Sequence, residues 1–418
     1  MMTKVNVGSF RKDKCRYCDR PLDPSFLDLG SIALANSFVS REQLSENELS
    51  CPLSLTFCPQ CSLIQLTHVV PADYMFSNYL YVSSTTQTFK KHFAEYAKEV
   101  RKKLNHIKEP LAVDIGSNDG LLLSCYEKEG MKALGIEPAK NLSEVANQNG
   151  LQTINRYFDS YCVDDILSHY GPAHAISGNN VFAHIDDIQS VLKNVHKLLA
   201  DDGIFVLEFP YLVTMLDEML FDMIYHEHLS YISVNALKYV AERFGLKIFD
   251  LQYVSSHGGS LRVFIKKKNG PYKVSPVVDQ YIQKEIDKGC FQEKLYRDFA
   301  ARVYQVKESI LKWVREAKQN RKSISGYGAP AKGNTLICFC GLSPKEIDYI
   351  VDDNPLKQGL FSPGAHIPVV TSDYLKSYPT DFVIIFAWNF ADEILKKLDD
   401  LKSQGVRFAV PLPELRLI

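Results

Sequence analysis

Long apolar runs are missing from this 418-residue chain. The longest, such as Phe382 to Trp388, have the length of a buried strand, so no membrane span is expected. An excess of charge of either sign is missing as well: Lys and Arg number 48, Asp and Glu 49, and the formal net charge is -1. That balance leaves no electrostatic footprint for nucleic acid or an anionic membrane, and it points to small-molecule partners. Met1 to Lys14 are polar and lack the apolar core of a signal peptide, so a cytoplasmic protein is expected. Ten cysteines in a chain this long do not make a secreted disulfide scaffold, and their clustering near the N-terminus points to metal in a reducing compartment. What is present is a 46% hydrophobic content and enough length for two or three domains.

Cys15-Arg16-Tyr17-Cys18 and Cys58-Pro59-Gln60-Cys61 are two CxxC pairs, each able to present two thiolates from a tight turn. Four sulfurs at tetrahedral geometry suit Zn²⁺ and leave no open position, so the metal is expected to hold the fold. The gap between the pairs is long for a zinc ribbon, but an inserted loop costs little closure entropy. Cys51 stands apart and reads as a small buried side chain. The zinc module is placed at residues 1–70.

Residues 71–270 read as a doubly wound α/β unit. Leu111 to Ile115 is an apolar strand breaking into Gly116-Ser117-Asn118-Asp119-Gly120, a helix follows from Leu121, and a second strand ends on Glu137. What this turn lacks is GxGxxG. Asn118 stands where the second glycine should be, with Asp119 beside it, and a carboxylate there repels a pyrophosphate while suiting the ammonium and sulfonium of S-adenosylmethionine. Glu137 suits a ribose diol. A strand ending near Gly178 brings Asn180 and His184 to the ligand rim, and strands at 246–253 and 260–265 flank Ser255 to Gly259 as an antiparallel edge hairpin.

Tyr225-His226-Glu227-His228 gathers two histidines, a carboxylate and a phenol within four residues, a set suited to moving a proton near neutral pH. On a helix, Tyr225 and His228 would share a face while His226 and Glu227 point elsewhere. A polar helix end with ordinary caps is the bland alternative. Upstream, Tyr79 and Tyr81 alternate in an aromatic, hydroxyl-rich stretch, either facing a ligand or packing on the next domain.

Residues 271–418 open with charged helices from about Ser275 to Arg321 and then a second α/β unit. Gly326, Gly328 and Gly333 with Lys332 and Asn334 resemble a phosphate-cradling turn, unless the glycines only allow close strand–helix packing.

These motifs together, with Tyr79-Leu80-Tyr81-Val82-Ser83-Ser84, Asn180 to His184, His257-Gly258-Gly259 and Gly326 to Lys332, resemble the bacterial S-adenosylmethionine-dependent C-methyltransferases that act on nucleotide-linked deoxysugars. The resemblance covers nearly the whole chain. It implies a zinc-binding N-terminal module, a central class I methyltransferase sheet and a C-terminal Rossmann-like domain that helps bind the nucleotide sugar. A monomer or weak homo-oligomer is expected. The implied reaction methylates carbon 3 of a dTDP-linked 4-keto-6-deoxyhexose through a base-generated enolate. Carried over, His228 is the base, with Tyr225 and Glu227 orienting it or steadying the enolate, and His184 and Tyr79 as further active-site positions. The donor falls to Asp114, Gly116, Asn118, Asp119, Gly120, Glu137 and Asn180. The sugar nucleotide falls to Tyr81, His257, Gly258, Gly326, Lys332 and Asn334. A sugar O-methyltransferase, an NAD-dependent oxidoreductase using the Gly326 turn, and a zinc-ribbon binding module stand as the alternatives.

Overall fold

The computed structural model describes residues 7–76 and 87–418, with the backbone alone at 76, 87, 88 and 257. The N-terminal module is an antiparallel sheet of β1 (Leu27–Ala33), β2 (Ser50–Phe57) and β3 (Ile64–Leu66), framed by the two CxxC turns. Its last strand comes from far along the chain: Ser230–Tyr231 pairs with Gln65 and Ile64.

After α1 (Asp73–Phe76), α2 (Gln87–Lys103) buries Phe93, Tyr96, Ala97 and Val100. The i, i+3, i+4, i+7 spacing of these residues makes a single apolar stripe. The central unit then alternates β4 (Leu111–Ile115), α3 (Leu121–Lys128), β5 (Lys132–Ile136), α4 (Lys140–Gln148), β6 (Thr153–Ile154), α5 (Ser160–Tyr170), β7 (Ala173–Asn179), α6 (Ile188–Leu198) and β8 (Leu199–Pro210). Following α7 (Leu212–Asp217), β9 (Ser230–Tyr231) and α8 (Val234–Arg243), the chain adds β10 (Leu246–Val254) and β11 (Ser260–Lys267). The sheet order is β10-β11-β8-β7-β4-β5-β6, parallel from β6 to β8 and antiparallel at β11 and β10. β4 lies between β5 and β7, so the winding direction reverses beside its carboxyl end, where such sheets bind ligands.

α9 (Pro276–Lys288) packs back on the central unit: Val278 joins the core of β10 and β11, and Glu285 caps α8 by accepting the Val234 and Asn235 N–H groups at 2.6 and 2.9 Å. α10 (Glu293–Gln319) spans the molecule, with Tyr296 and Phe299 against the N-terminal sheet and Trp313 against the last unit. That unit contains β12 (Ile324–Tyr327), α11 (Ala331–Cys340), β13 (Ile350–Val351), β14 (Val369–Val370), β15 (Phe382–Ile385), β16 (Arg407–Val410) and β17 (Arg416–Leu417). Its sheet order is β14-β13-β12-β15-β16-β17, parallel except for β17, with its own winding reversal between β12 and β15. One continuous core joins β1–β3, residues 212–231, α10, α11, β12 and β15, so all three parts of the chain meet around the segment that follows β8.

Candidate active site

A cavity of about 1430 Å³ opens at that meeting point. The carboxyl ends of β4, β5 and β7 form its floor, the N-terminal module contributes Asn36 and Phe38, and the C-terminal unit contributes Lys332 and Lys357. Of the predicted residues, Gly116, Asn118, Glu137, Asn180, His184, Tyr225, Glu227, His228 and Lys332 lie on its wall. Asp114 lies beside it on a small pocket shared with Gly116 and Asn118.

The floor turn is shaped by backbone conformations that few residues adopt. Gly116 and Gly120 have φ of +69° and +84°, and Asn118, the residue type that best tolerates the left-handed region after glycine, has φ +52°. A Cβ on Gly116 would stand 2.5 Å from Val181 Cγ2, and one on Gly120 2.6 Å from Leu151 Cδ1. Glu137 braces the turn, accepting the Asn118 N–H at 2.9 Å and the Ala139 N–H at 2.8 Å. Burial raises its carboxyl above the usual range against those two bonds. Burial likewise pushes Asp114 up to about 7, although the Ser177 hydroxyl donates to it at 2.6 Å. Asp119 is 7% exposed and, like Gly120, is not on the cavity wall, contrary to the expectation that both face the donor.

The catalytic candidates converge from two loops. His184 closes a 3-10 turn after β7, and Tyr225 to His228 follow a second 3-10 turn, Phe221–Met223. The His184 and His228 rings meet edge to face at 5.0 Å, and the Tyr225 and His228 rings lie 4.0 Å apart. His228 Nδ1 is 2.7 Å from the Met223 carbonyl oxygen. A carbonyl can only accept, so Nδ1 carries the hydrogen and Nε2 of the neutral ring carries the lone pair. Because residues 225–228 form a turn and not a helix, Glu227 also reaches the cavity, contrary to the helical expectation, and accepts from Asn36 Nδ2 at 2.5 Å. His226 does point away, into the N-terminal sheet, where its Nε2 meets the Cys51 carbonyl at 3.0 Å.

Other predicted positions lie elsewhere. Gly326 is inside β12, where a Cβ would stand 2.5 Å from the Phe386 ring, and at Gly333 it would stand 3.0 Å from Phe386 Cβ, so the first makes room for that ring and the second lets α11 approach the end of β15. Asn334 is 3% exposed within α11, off the cavity wall. Gly258 neighbours the wall through Gly259, while the His257 side chain, Tyr79 and Tyr81 lie outside the described residues. Sequence reasoning missed Asn36 and Lys357, which no local motif marks. It also missed Asn179, at the cavity edge, whose buried amide atoms have no hydrogen-bond partner among the described residues; its neighbour Asn180 was the available signal.

The metal site is the cleanest match to expectation. The sulfurs of Cys15, Cys18, Cys58 and Cys61 all lie within 4.8 Å of one another, with Cys15–Cys61 at 3.5 Å and Cys18–Cys58 at 3.4 Å. A zinc tetrahedron with Zn–S of about 2.3 Å has edges of about 3.8 Å, so the donor set fits the ion and closes its coordination shell. Sulfur–sulfur hydrogen bonding raises Cys15 and Cys61 and lowers Cys58, as expected of thiols crowded around one point. Among the described residues no helix is long and apolar enough to cross a membrane.

Family profiles match a candidate zinc binding domain at residues 15–76, a methyltransferase domain at 89–251 and a C-methyltransferase C-terminal domain at 255–413. The C-methyltransferase NovU of Streptomyces niveus is 36% identical over 406 residues, 97% of each chain. Solved structures overlap less than half of the chain. Magnesium protoporphyrin IX methyltransferase of Synechocystis PCC 6803 with bound SAM is 11% identical over 43% of this chain and 79% of its own, with a TM-score of 0.33. An S-adenosylmethionine-dependent methyltransferase from Clostridium acetobutylicum ATCC 824 is 13% identical over 44% and 92%, with a TM-score of 0.35.

Proposed function

The chain belongs to the family of S-adenosylmethionine-dependent C-methyltransferases, and from that membership we propose that it methylates carbon 3 of a dTDP-linked 4-keto-6-deoxyhexose. The observation that carries this reading is the setting of His228. Its Nδ1–H is spent on the Met223 carbonyl, so the basic Nε2 belongs to a ring on the cavity wall, packed against Tyr225 and His184. A carbon nucleophile needs such a base, because a C–H adjacent to a ketone must be ionised before it can take a methyl group.

When bound, S-adenosylmethionine supplies an electrophilic methyl group on sulfonium. Gly116, Asn118, Glu137 and Asn180 on the cavity floor, with Asp114 beside them, would hold it. His228 takes the carbon 3 proton, and the Tyr225 hydroxyl and His184 are the groups available to steady the enolate oxygen. Glu227, held by Asn36, supplies negative charge that favours the protonated imidazole once the proton has moved. Lys332 and Lys357 on the C-terminal side of the cavity suit the diphosphate of a nucleotide sugar.

The test is incubation with methyl-labelled S-adenosylmethionine and a dTDP-4-keto-6-deoxyhexose. A product heavier by one methyl, with loss of the carbon 3 deuteron from labelled sugar, is expected. Methylation with that deuteron retained would replace the reading with an O-methyltransferase.

A further inference from the structure

We propose that Trp388 and Asp222 are positioning residues that tie the grip of Lys332 on the anionic end of the substrate to the setting of the His228 imidazole. The proposal rests on the nucleotide-sugar reading above and goes beyond it by naming how the two ends of the substrate communicate.

The chain of contacts is short. Lys332, in the first turn of α11, lies with Nζ 4.3 Å from the centre of the Trp388 ring and bonds to Asn389 Oδ1. Trp388, on the 3-10 turn after β15, donates its indole N–H to Asp222 Oδ2 at 2.6 Å. Asp222 is fully buried in the Phe221–Met223 turn, where the backbone N–H groups of Asp222 and Met223 favour its charged form; among the described residues its Oδ1 has no full hydrogen bond. The next carbonyl along, that of Met223, is the one that orients His228. Thr335 of α11 grips the same turn, donating to the Ile224 carbonyl at 3.1 Å.

A buried carboxylate is a costly choice for a turn that only has to pack. Burial drives Asp222 up to about 6, and the positive charge of Lys332 pulls it back. Asp222 and Lys332 do not form a direct ion pair: the indole lies between them, with its face to the ammonium and its N–H to the carboxylate. This is the favourable orientation of the ring quadrupole toward a cation and of the N–H dipole toward an anion. An anion arriving at Lys332 weakens the hold of the lysine on both the indole and Asp222, and the turn that fixes the Met223 carbonyl feels the change. Base placement is sensitive to such shifts, since a displacement of about 1 Å can cost about 10²-fold in rate.

The experiment uses the full chain and two probes, dTDP and dTDP-4-keto-6-deoxyglucose in D₂O. In the second, carbon 3 gives its proton to His228 and regains a deuteron from solvent, so exchange reads the base without the methyl donor. Titrating dTDP should change tryptophan emission in the wild type. In Trp388→Phe, where only Trp313 remains, that change should vanish while calorimetry gives a dTDP Kd within about twofold of wild type and exchange at saturation falls roughly tenfold. Asp222→Asn, which keeps an acceptor for the indole but removes the charge, should also lower exchange at near-constant dTDP affinity. Undiminished exchange in a folded Trp388→Phe would overturn the proposal. So would a fall in exchange matched by an equal loss of dTDP affinity, because the pair would then hold the nucleotide and not the base. Wild-type protein that binds no dTDP would overturn the nucleotide-sugar reading itself, and the relay with it.

Discussion

Two histidines of one turn, His226 and His228, experience opposite surroundings. His226 is 2% exposed, and burial lowers its pKa to about 4 from an ordinary 6.5. Between those values the unfolded chain binds a proton that the folded chain refuses, so this residue stabilises the fold above pH 6.5 and that contribution is lost as the pH falls toward about 4. Asp114 tilts the other way: held protonated up to about 7 against an ordinary 3.8, it contributes stability that is full below 3.8 and lost as the pH rises through about 7. The two slopes oppose, so the informative quantity is a difference. His226→Gln can still donate to the Cys51 carbonyl but cannot titrate. The gap in Tm between wild type and this variant should change across that acidic window and be flat above it, as thermal denaturation at a series of pH values would show. His228 calls for a kinetic test. His228→Gln should bind S-adenosylmethionine as the wild type does by calorimetry yet lose about 10²–10⁴-fold in turnover. Near-normal turnover would remove it from the base role.

At the scale of elements, the turn after β4 ties sequence to function most tightly. Gly120 has φ +84° and faces Leu151, so Gly120→Ala combines a left-handed penalty with a clash at the start of α3. The expected cost is about 1–3 kcal/mol of stability, with weaker donor binding, measured by chemical denaturation and calorimetry. This element was legible because its signals are local: an apolar strand, a glycine-punctuated turn and an acidic residue closing the next strand. The hairpin of β10 and β11 was legible for the same reason, two apolar runs separated by Ser255 to Gly259. The orientation of Glu227 was not, because a helical reading of residues 225–228 turns it outward while the observed turn brings it to the cavity. The Gly326 turn divides: Lys332 reaches the cavity wall, while its first glycine answers to packing. Gly326 makes room for Phe386, 60 residues downstream, a demand no local pattern displays.

At the scale of the molecule, the zinc module is tied into the candidate active site. Arg16, between ligands Cys15 and Cys18, is buried, and its Nη1 bonds to the Leu229 carbonyl one residue past His228. Its Nε faces Asp186 Oδ1 at 3.6 Å, two residues past His184. The Leu229 N–H in turn donates to the Ala183 carbonyl at 2.8 Å, so the loops carrying the two histidines are strapped to each other and to the metal turn. The CxxC spacing announced the metal, but the reach of the residue inside it depends on tertiary contacts more than 200 positions away. Stripping zinc with a chelator, or Cys58→Ser, should therefore lower Tm and reduce turnover by more than the unfolded fraction accounts for. Arg16→Lys separates the two effects. The shorter side chain, without the guanidinium fork, should leave zinc content by metal analysis unchanged while turnover falls roughly tenfold. Full activity in that variant would confine the metal to stability and leave the histidine loops to hold themselves.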